Sequence, residues 1–114
     1  MKQNEDCELA GYRIDCAGGI QDHHLISRGA LQKATAAKKY CEKEHPEIFI
    51  RDICAAHNST KIADTKWARR VLVRKSKETF GIEYVKDVLD AVPWKVPNPK
   101  FSYKAIMAAP LPED

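Results

Sequence analysis

The sequence feature that most constrains this chain is a close-spaced pair of soft metal ligands, Cys54-Ala-Ala-His57. Two intervening residues allow one tight turn to direct both side chains at a single ion, and Zn²⁺ then requires two further ligands. Cys7 and Cys16 are the natural candidates, although the eight residues between them exceed the spacing of a normal zinc knuckle. A structural zinc ion with these four ligands would join the start of the chain to its middle.

Two other interpretations of the cysteines stay open. Cys41 and His45 form a rival C-x3-H pair that could replace Cys7 or Cys16 at zinc, and the four thiols could instead bind no metal. Disulfides are disfavoured, because the opening residues MKQNEDCELA lack the apolar stretch of a signal peptide. We therefore expect a cytoplasmic protein with reduced cysteines.

Length and composition predict one soluble globular domain with a short tail. The chain has 114 residues, of which 44% are hydrophobic and 31% are charged. These proportions are typical of folded soluble proteins. No run approaches the roughly 18–20 apolar residues that a membrane helix needs, so we expect no membrane partner.

Basic side chains are concentrated in two segments, although the formal net charge is only +3. Residues 28–43 carry five basic side chains and one acidic one, and residues 61–80 carry seven basic and two acidic ones. In the second segment Lys66, Arg70 and Arg74 recur at a spacing of four residues, which places them on one ridge of a helix. This pattern predicts a surface that binds a polyanion; the alternative is a pair of solvated helix faces.

Local sequence patterns predict an α+β fold. Alternating β-branched residues indicate a strand, and long runs of helix formers end at Pro46 and at Gly81. Five of the six prolines follow residue 92, which predicts a segment without regular structure. The predicted elements, in chain order, are a strand end over residues 22–26, a helix over 30–43, a strand over 48–53, helices over 59–79 and 82–92, and an extended C-terminal tail over 93–114.

The most informative string is Asp22-His23-His24-Leu25-Ile26-Ser27-Arg28-Gly29, followed after a helical insertion by Ile53-Cys54-Ala55-Ala56-His57-Asn58. It contains two adjacent histidines out of only four in the chain. In these residues the chain resembles the HNH endonuclease family, whose active site is a ββα-metal unit, and the resemblance covers about residues 7–61. It implies an HNH core with a zinc knuckle, followed by two amphipathic helices and the proline-rich tail, so that residues 1–92 form the nuclease domain.

The resemblance implies catalytic roles for adjacent side chains. His24 holds the position of the general base that activates water, and His23 that of the ligand to the catalytic divalent ion. Asn58, directly after the second knuckle ligand, corresponds to the family's last active-site residue, and Asp22 is an additional candidate ligand. A base with an unperturbed pKa of about 6.5 suits neutral pH, and a cation at the scissile phosphate stabilises the leaving oxygen. Mg²⁺ is usually held by only one or two protein ligands together with waters and phosphate oxygens, which this small set allows. The imidazole of His23, however, favours Mn²⁺, Co²⁺ or Ni²⁺.

Three departures from the family pattern bear on these roles. His57 replaces the second cysteine of the knuckle, which zinc accepts. Asn58 replaces the family's final histidine, an ending that resembles phage Holliday-junction-resolving endonucleases, in which an asparagine after the zinc knuckle is a metal ligand. The resemblance therefore implies Asn58 as a ligand of the catalytic ion beside His23. Phe49 stands where the family's middle asparagine supports the loop that carries the base, so the orientation of His24 stays open. In a second alignment, His57 is itself the last catalytic residue and zinc is poorly supplied with ligands.

The sequence thus predicts a metal-dependent DNA endonuclease that hydrolyses phosphodiester bonds, with structural zinc nearby. The predicted DNA contacts are Arg28, Lys61, Lys66, Arg70 and Arg74. The alternative is a non-catalytic, zinc-containing nucleic-acid-binding or adaptor domain, which the absence of the middle asparagine favours. DNA is the expected partner in either case, with a phage or host protein as a candidate second partner, and a phage-encoded chain would act in the host cytoplasm. Cleavage specificity, nicking against double-strand cutting, and oligomeric state stay open.

Overall fold

The computed structural model describes residues 4–111 of the chain. Its elements are two strands, β1 (Ile20–His24) and β2 (Ile50–Cys54), and seven helices, α1 (Arg28–Lys33), α2 (Thr35–Lys39), α3 (Pro46–Phe49), α4 (Ala55–Ser59), α5 (Lys66–Phe80), α6 (Ile82–Asp90) and α7 (Tyr103–Ala108). A π-helical turn over Tyr40–Glu44 and 3₁₀ turns over Ile62–Asp64 and Pro99–Phe101 complete them. The predicted α+β class is confirmed for these residues. None of their helices is long and apolar enough to cross a membrane.

β1 and β2 pair as an antiparallel two-stranded sheet, and α1 to α3 lie between them in the chain. The residue pairs across the sheet run from Ile20 opposite Cys54 to His24 opposite Ile50. Because successive side chains of a strand point to opposite faces, His23 and His24 lie on different sides of the sheet. His23 is buried, whereas His24 is partly exposed. β2 continues directly into α4, which contacts both strands.

The helix that the sequence predicts over residues 30–43 is broken at Ala34, so the prediction of one continuous helix is wrong. Ala34 has φ −128° and ψ 81°, outside the helical region, and separates α1 from α2. Leu31 and Ala37 are both buried. In one straight helix these two side chains would lie about 120° apart around the axis. The break allows both side chains to face the core. Helix propensity does not predict the break, because it is imposed by tertiary packing.

The helix predicted over residues 59–79 is also interrupted. Lys61 adopts a left-handed backbone conformation, with φ 63°, and α5 begins only after Thr65. The Thr65 hydroxyl accepts the backbone N–H of Ala68 and so caps α5. α5 contacts α3, α6 and α7 and is therefore the central helix of the protein. Its buried side chains are Ala68, Val71, Leu72, Val73 and Ser76.

The C-terminal region differs from the extended tail that the sequence predicts, because residues 99–108 are largely helical. Phe101 and Ile106 are buried, and Trp94 stacks on Phe101 with ring centroids 5.7 Å apart. The Ser102 hydroxyl accepts the backbone N–H of Ala105 at the start of α7. The prolines thus mark turns around short helices that pack on the domain. Residues 112–114 of the predicted tail lie outside the described residues.

Candidate metal centre and adjoining histidine sites

Side chains from three separated segments form one group of potential metal ligands, the Cys3His cluster, which consists of Cys7, Cys16, Cys54 and His57. All four ligand atoms lie within 4.8 Å of one another. The distances from His57 Nδ1 to the three sulfur atoms are 3.1, 3.7 and 3.8 Å. Around a tetrahedral Zn²⁺ with ordinary bond lengths, nitrogen and sulfur ligands are about 3.6 Å apart. The cluster could therefore hold a metal ion such as zinc, with the ligands that the sequence predicts.

Hydrogen bonds hold the ligands of the cluster in place. Cys54 ends β2 and caps α4, and its sulfur accepts the backbone N–H of His57 at 3.5 Å. The backbone N–H of Cys54 in turn donates to Sγ of Cys7 at 3.2 Å. His57 Nε2 donates to the carbonyl oxygen of Tyr12 at 2.8 Å, which fixes Nδ1 as the nitrogen that faces the thiols. Such an outer hydrogen bond is usual behind a metal-bound histidine.

The thiols of the cluster differ in their ionisation. Burial raises the pKa of the Cys54 thiol, but hydrogen bonds, first among them that from the backbone N–H of His57, outweigh this effect and lower the pKa to about 6. Burial raises the pKa of Cys7 to about 12. The Cys54 thiol is therefore ionised at neutral pH, and a bound cation would deprotonate the Cys7 thiol as well. The donor set thus matches a soft divalent ion such as Zn²⁺.

The rival pair Cys41 and His45 lies outside the cluster. Cys41 is fully buried, and burial raises its pKa to about 12, which is typical of an unreactive core thiol. His45 Nδ1 lies 3.0 Å from the hydroxyl of Tyr84, which donates to Glu47 at 3.0 Å. His45 thus belongs to a contact between α6 and α3, and neither member of the pair reaches the other ligands.

Substitution of Gly18 is expected to disturb the cluster through α4. Ala56 donates its backbone N–H to the carbonyl oxygen of Ala17 at 3.0 Å, and Ala55 donates to that of Gly19 at 2.9 Å. Gly18 has φ 79°, and a Cβ there would lie 2.6 Å from Ala55 Cβ. We expect Gly18→Ala to lower the free energy of unfolding by about 1–3 kcal/mol and to weaken zinc retention. Thermal denaturation and zinc content measure this. Gly19→Ala, whose Cβ would meet nothing within 4 Å, is the control, and equal stability of the two variants would contradict the expectation.

His23 and Asn58, here the His–Asn pair, meet beside the cluster where β1 contacts α4. His23 Nδ1 is 3.3 Å from Asn58 Oδ1. The Asn58 side-chain N–H donates to Gln21 Oε1 at 2.8 Å, which turns the amide oxygen toward His23. Burial lowers the pKa of His23 despite the opposing effect of the Asn58 hydrogen bond, so the imidazole is neutral at pH 7. Its Nε2 atom is buried and has no hydrogen-bond partner among residues 4–111.

His24 lies on the opposite face of the sheet, as strand alternation requires. Its Nε2 atom is 3.3 Å from Oε1 of Glu42. Both side chains line an open cavity of about 420 Å³, which Asp22 and Arg28 also line. The structure therefore brings Asp22 together with the predicted base. It does not bring Asp22 together with the His–Asn pair, so the predicted three-ligand set for the catalytic ion is divided between two faces.

Phe49, which stands at the position of the family's middle asparagine, is a core residue. Its side chain is buried, with its ring centroid 6.1 Å from that of Tyr40. Its backbone carbonyl oxygen accepts the N–H of Leu25, directly after His24, at 2.8 Å. The loop that follows His24 is thus supported by a main-chain hydrogen bond, for which no asparagine side chain is needed.

The ridge of basic residues predicted along α5 is partly engaged within the protein. Arg70 donates to the carbonyl oxygen of Ala109, and Arg74 donates to the hydroxyl of Tyr12 at 3.0 Å. Because both guanidinium groups are hydrogen-bonded within the protein, neither arginine is a free surface cation. The predicted DNA contacts that remain exposed are Arg28, Lys61 and Lys66.

A cleft beside the start of α5 contains two basic residues that the sequence interpretation missed. The cleft has a volume of about 720 Å³, and Arg13, Lys66, Trp67 and Arg69 are among its lining residues. The guanidinium of Arg13 lies 5.4 Å from the centroid of the Trp67 ring. The spacing of three residues between Lys66 and Arg69 could have indicated that they share a helix face. Nothing in the sequence marks Arg13, whose chain segment is far from α5.

Comparison with protein-family models, with curated proteins and with solved structures finds no match to this chain. Its fold and sites define the class: a small α+β protein with a Cys3His cluster that could hold zinc. The His–Asn pair adjoins this cluster through α4, and His24 faces a separate cavity. These features are the basis on which a function can be assigned.

Proposed function

We propose that this protein is a metal-dependent DNA endonuclease of the HNH type, which hydrolyses phosphodiester bonds with His24 as general base. The observation that carries the proposal is the His–Asn pair, a buried imidazole and an amide oxygen 3.3 Å apart. One lies on β1 and the other on α4, the helix that the Cys3His cluster anchors. The resemblance of residues 22–29 and 53–58 to HNH endonucleases supports the same function.

The His–Asn pair is suited to a divalent ion. Neighbouring ligands of an octahedral ion are about 3 Å apart, close to the observed separation. The ion would replace the proton that His23 Nδ1 shares with Asn58 Oδ1, and the proton of the neutral imidazole would then lie on Nε2. Imidazole and amide oxygen together suit Mn²⁺, Co²⁺ or Ni²⁺ as well as Mg²⁺. When bound, such an ion supplies positive charge near the scissile phosphate and the leaving oxygen.

His24 is the last residue of β1 and lies on the opposite face of the sheet from His23, so the scissile phosphate would have to lie across the end of the strand to meet both. His24 is partly exposed, as a base that must meet water requires. It lines the same cavity as Arg28, whose planar donors match the oxygens of a phosphate. Arg28 would therefore orient the phosphate while His24 takes the proton of the attacking water. Asp22 contributes negative charge to this cavity and does not contact the His–Asn pair.

The proposed DNA surface centres on the cleft beside α5, because two arginines of the predicted ridge are bonded internally. Asp64 lines the cleft, and its charge opposes the lowering of the His23 pKa by burial, so this side of the cleft lies within electrostatic range of the His–Asn pair. Trp67 offers an aromatic surface among the cations, a combination typical of nucleic-acid-binding clefts. The cations of the cleft are Arg13, Lys66 and Arg69.

Removal of cleft cations should weaken DNA binding uniformly across sequences. Each side chain that neutralises a phosphate contributes about −0.9 to the slope of log K against log salt. We expect the double variant Lys66→Ala/Arg69→Ala to reduce the steepness of this slope by about 2. Fluorescence anisotropy with a labelled duplex measures it. The control is Lys86→Ala/Lys104→Ala, two exposed lysines outside the cleft, and an unchanged slope in the first variant would contradict the cleft as the DNA surface.

A second candidate function, a non-catalytic zinc-containing nucleic-acid-binding domain, is favoured by the core position of Phe49. Plasmid nicking by the zinc-loaded protein, with Mg²⁺, Mn²⁺, Co²⁺ or Ni²⁺ added, distinguishes the two functions. Cleavage with at least one of these ions supports the endonuclease. Salt-dependent DNA binding without cleavage in any of them would overturn it in favour of the binding domain.

A further inference from the structure

Glu42 is the carboxylate that faces the proposed base. Its Oε1 atom lies 3.3 Å from His24 Nε2, and the two side chains are 22% and 13% exposed. An interaction that is largely shielded from water is stronger than one at an open surface. Glu42 belongs to the helical insertion between residues 22–29 and 53–58, the two strings that carry the resemblance to the HNH family.

The π-helical turn over Tyr40–Glu44 fixes Glu42 against the sheet. Cys41, its neighbour in the turn, is fully buried. The Tyr40 hydroxyl donates to the carbonyl oxygen of Val88 on α6 at 3.1 Å, and the Tyr40 carbonyl oxygen accepts the N–H of His45 at 3.0 Å. π-helical turns are rare, and they occur frequently at functional sites. Glu42 therefore lies in a turn that is fixed by the buried Cys41 side chain and by the two hydrogen bonds of Tyr40.

Two cations in the same cavity, Arg28 and Lys38, could compete with His24 for the carboxylate of Glu42. Within the described part of the chain, however, no ion pair within 4.0 Å joins Glu42 to either of them. His24 is the group that its carboxylate meets. The charges around the proposed base thus favour a histidine–carboxylate contact.

We infer that Glu42 is the positioning residue of His24, an inference that rests on the proposed endonuclease function. Its carboxylate lies 3.3 Å from Nε2 and would favour the proton on that nitrogen, which leaves Nδ1 with the lone pair that takes a proton from water. The water oxygen forms a bond to phosphorus, and the bond from phosphorus to the leaving deoxyribose oxygen breaks. That oxygen keeps the electron pair and takes a proton from solvent. The carboxylate of Glu42 stabilises the imidazolium that forms, in a chain where Phe49 replaces the family's supporting asparagine.

Cleavage by Glu42→Gln, by Glu42→Asp and by the matched control Glu44→Gln tests this inference. Glu44 is exposed and lies in the same π-helical turn. In Glu42→Gln we expect kcat to fall about 10- to 100-fold with KM unchanged. This loss is smaller than the whole rate enhancement that a general base contributes, about 10²–10⁴-fold, because His24 itself remains. Glu42→Asp should recover part of this loss. A long-range ¹H–¹⁵N spectrum should show His24 protonated at Nε2 in the wild type and as a mixture of tautomers in Glu42→Gln.

The outcomes separate this inference from the proposed function. If the wild type cleaves DNA and Glu42→Gln cleaves as fast as Glu44→Gln, the positioning role alone is overturned. Equal losses in both variants, with lowered melting temperatures, would also overturn it, because the turn would then be merely structural. A wild type that cleaves with none of the divalent ions overturns the proposed function and this inference with it.

Discussion

Chelation of the metal is expected to unfold the N-terminal half of the protein. Structural zinc contributes on the order of 10 kcal/mol, which is comparable with the whole net stability of a domain, about 5–15 kcal/mol. Cys7 and Cys16 lie in a segment without helix or strand, and the cluster joins this segment to the end of β2 and the start of α4. Circular dichroism during chelation, with zinc measured in parallel, should show structure and metal lost together.

Two cysteine variants separate the contribution of the metal from ordinary core packing. Cys54→Ala removes a ligand, and we expect it to lose zinc and the cooperative thermal transition. Cys41→Ala removes a fully buried thiol outside the cluster, so it should keep zinc and lose only about 1 kcal/mol of stability. Equal melting temperatures in the two variants, or a wild type unaffected by chelation, would show that the cluster holds no structural metal.

The second large effect is expected in His24→Ala, in which plasmid cleavage should fall by about 10²–10⁴-fold. The variant removes the proposed general base and leaves the His–Asn pair and the cluster intact. His24 is partly exposed, and its side chain contacts Glu42 rather than a member of the Cys3His cluster. Zinc content and melting temperature should therefore change little. Initial rates of nicking, measured with the ion that supports the fastest wild-type cleavage, give the comparison.

His45→Ala is the matched control for this experiment. His45 is a histidine of the same chain that contacts Tyr84 and does not line the cavity of His24. We expect it to cleave DNA at the wild-type rate. Undiminished cleavage by His24→Ala would refute the assignment of the base. Equal losses in the two histidine variants would refute it as well.

The metal cluster could be predicted from the sequence because its chemistry is local. Cys54 and His57 are three positions apart at the end of a strand, so the following turn of helix brings both to one point. The sequence indicates Cys7 and Cys16 only as the natural candidates, with Cys41 and His45 as a rival pair, and the structure brings Cys7 and Cys16 to the same point. The orientation of the ligands depends on hydrogen bonds to the backbone, such as the one from His57 Nε2 to the carbonyl oxygen of Tyr12. The spacing of residues in the sequence does not predict such bonds.

The surface was less predictable than the cluster. A spacing of four residues correctly places Arg70 and Arg74 on one side of a helix, but it does not reveal what covers that side. Arg74 meets Tyr12, which is 62 positions away in the chain, and Arg70 meets the C-terminal segment. Contacts of this length depend on the complete fold. For the same reason, propensity did not predict the break at Ala34, where core packing overrides a helical sequence.

The pairing of β1 with β2 also determines which histidine is buried. A slip of one residue along the ladder would reverse every side chain of β1, so that His24 would meet Asn58 and His23 would face the cavity. The pair of Ile20 and Cys54 ends the ladder, and the Cys54 thiol belongs to the Cys3His cluster. The cluster thereby fixes the position of Cys54 and, with it, the register of the two strands. In the proposed endonuclease, an ion bound at the cluster would thus determine which of two adjacent histidines acts as the base, although the ion itself takes no part in the reaction.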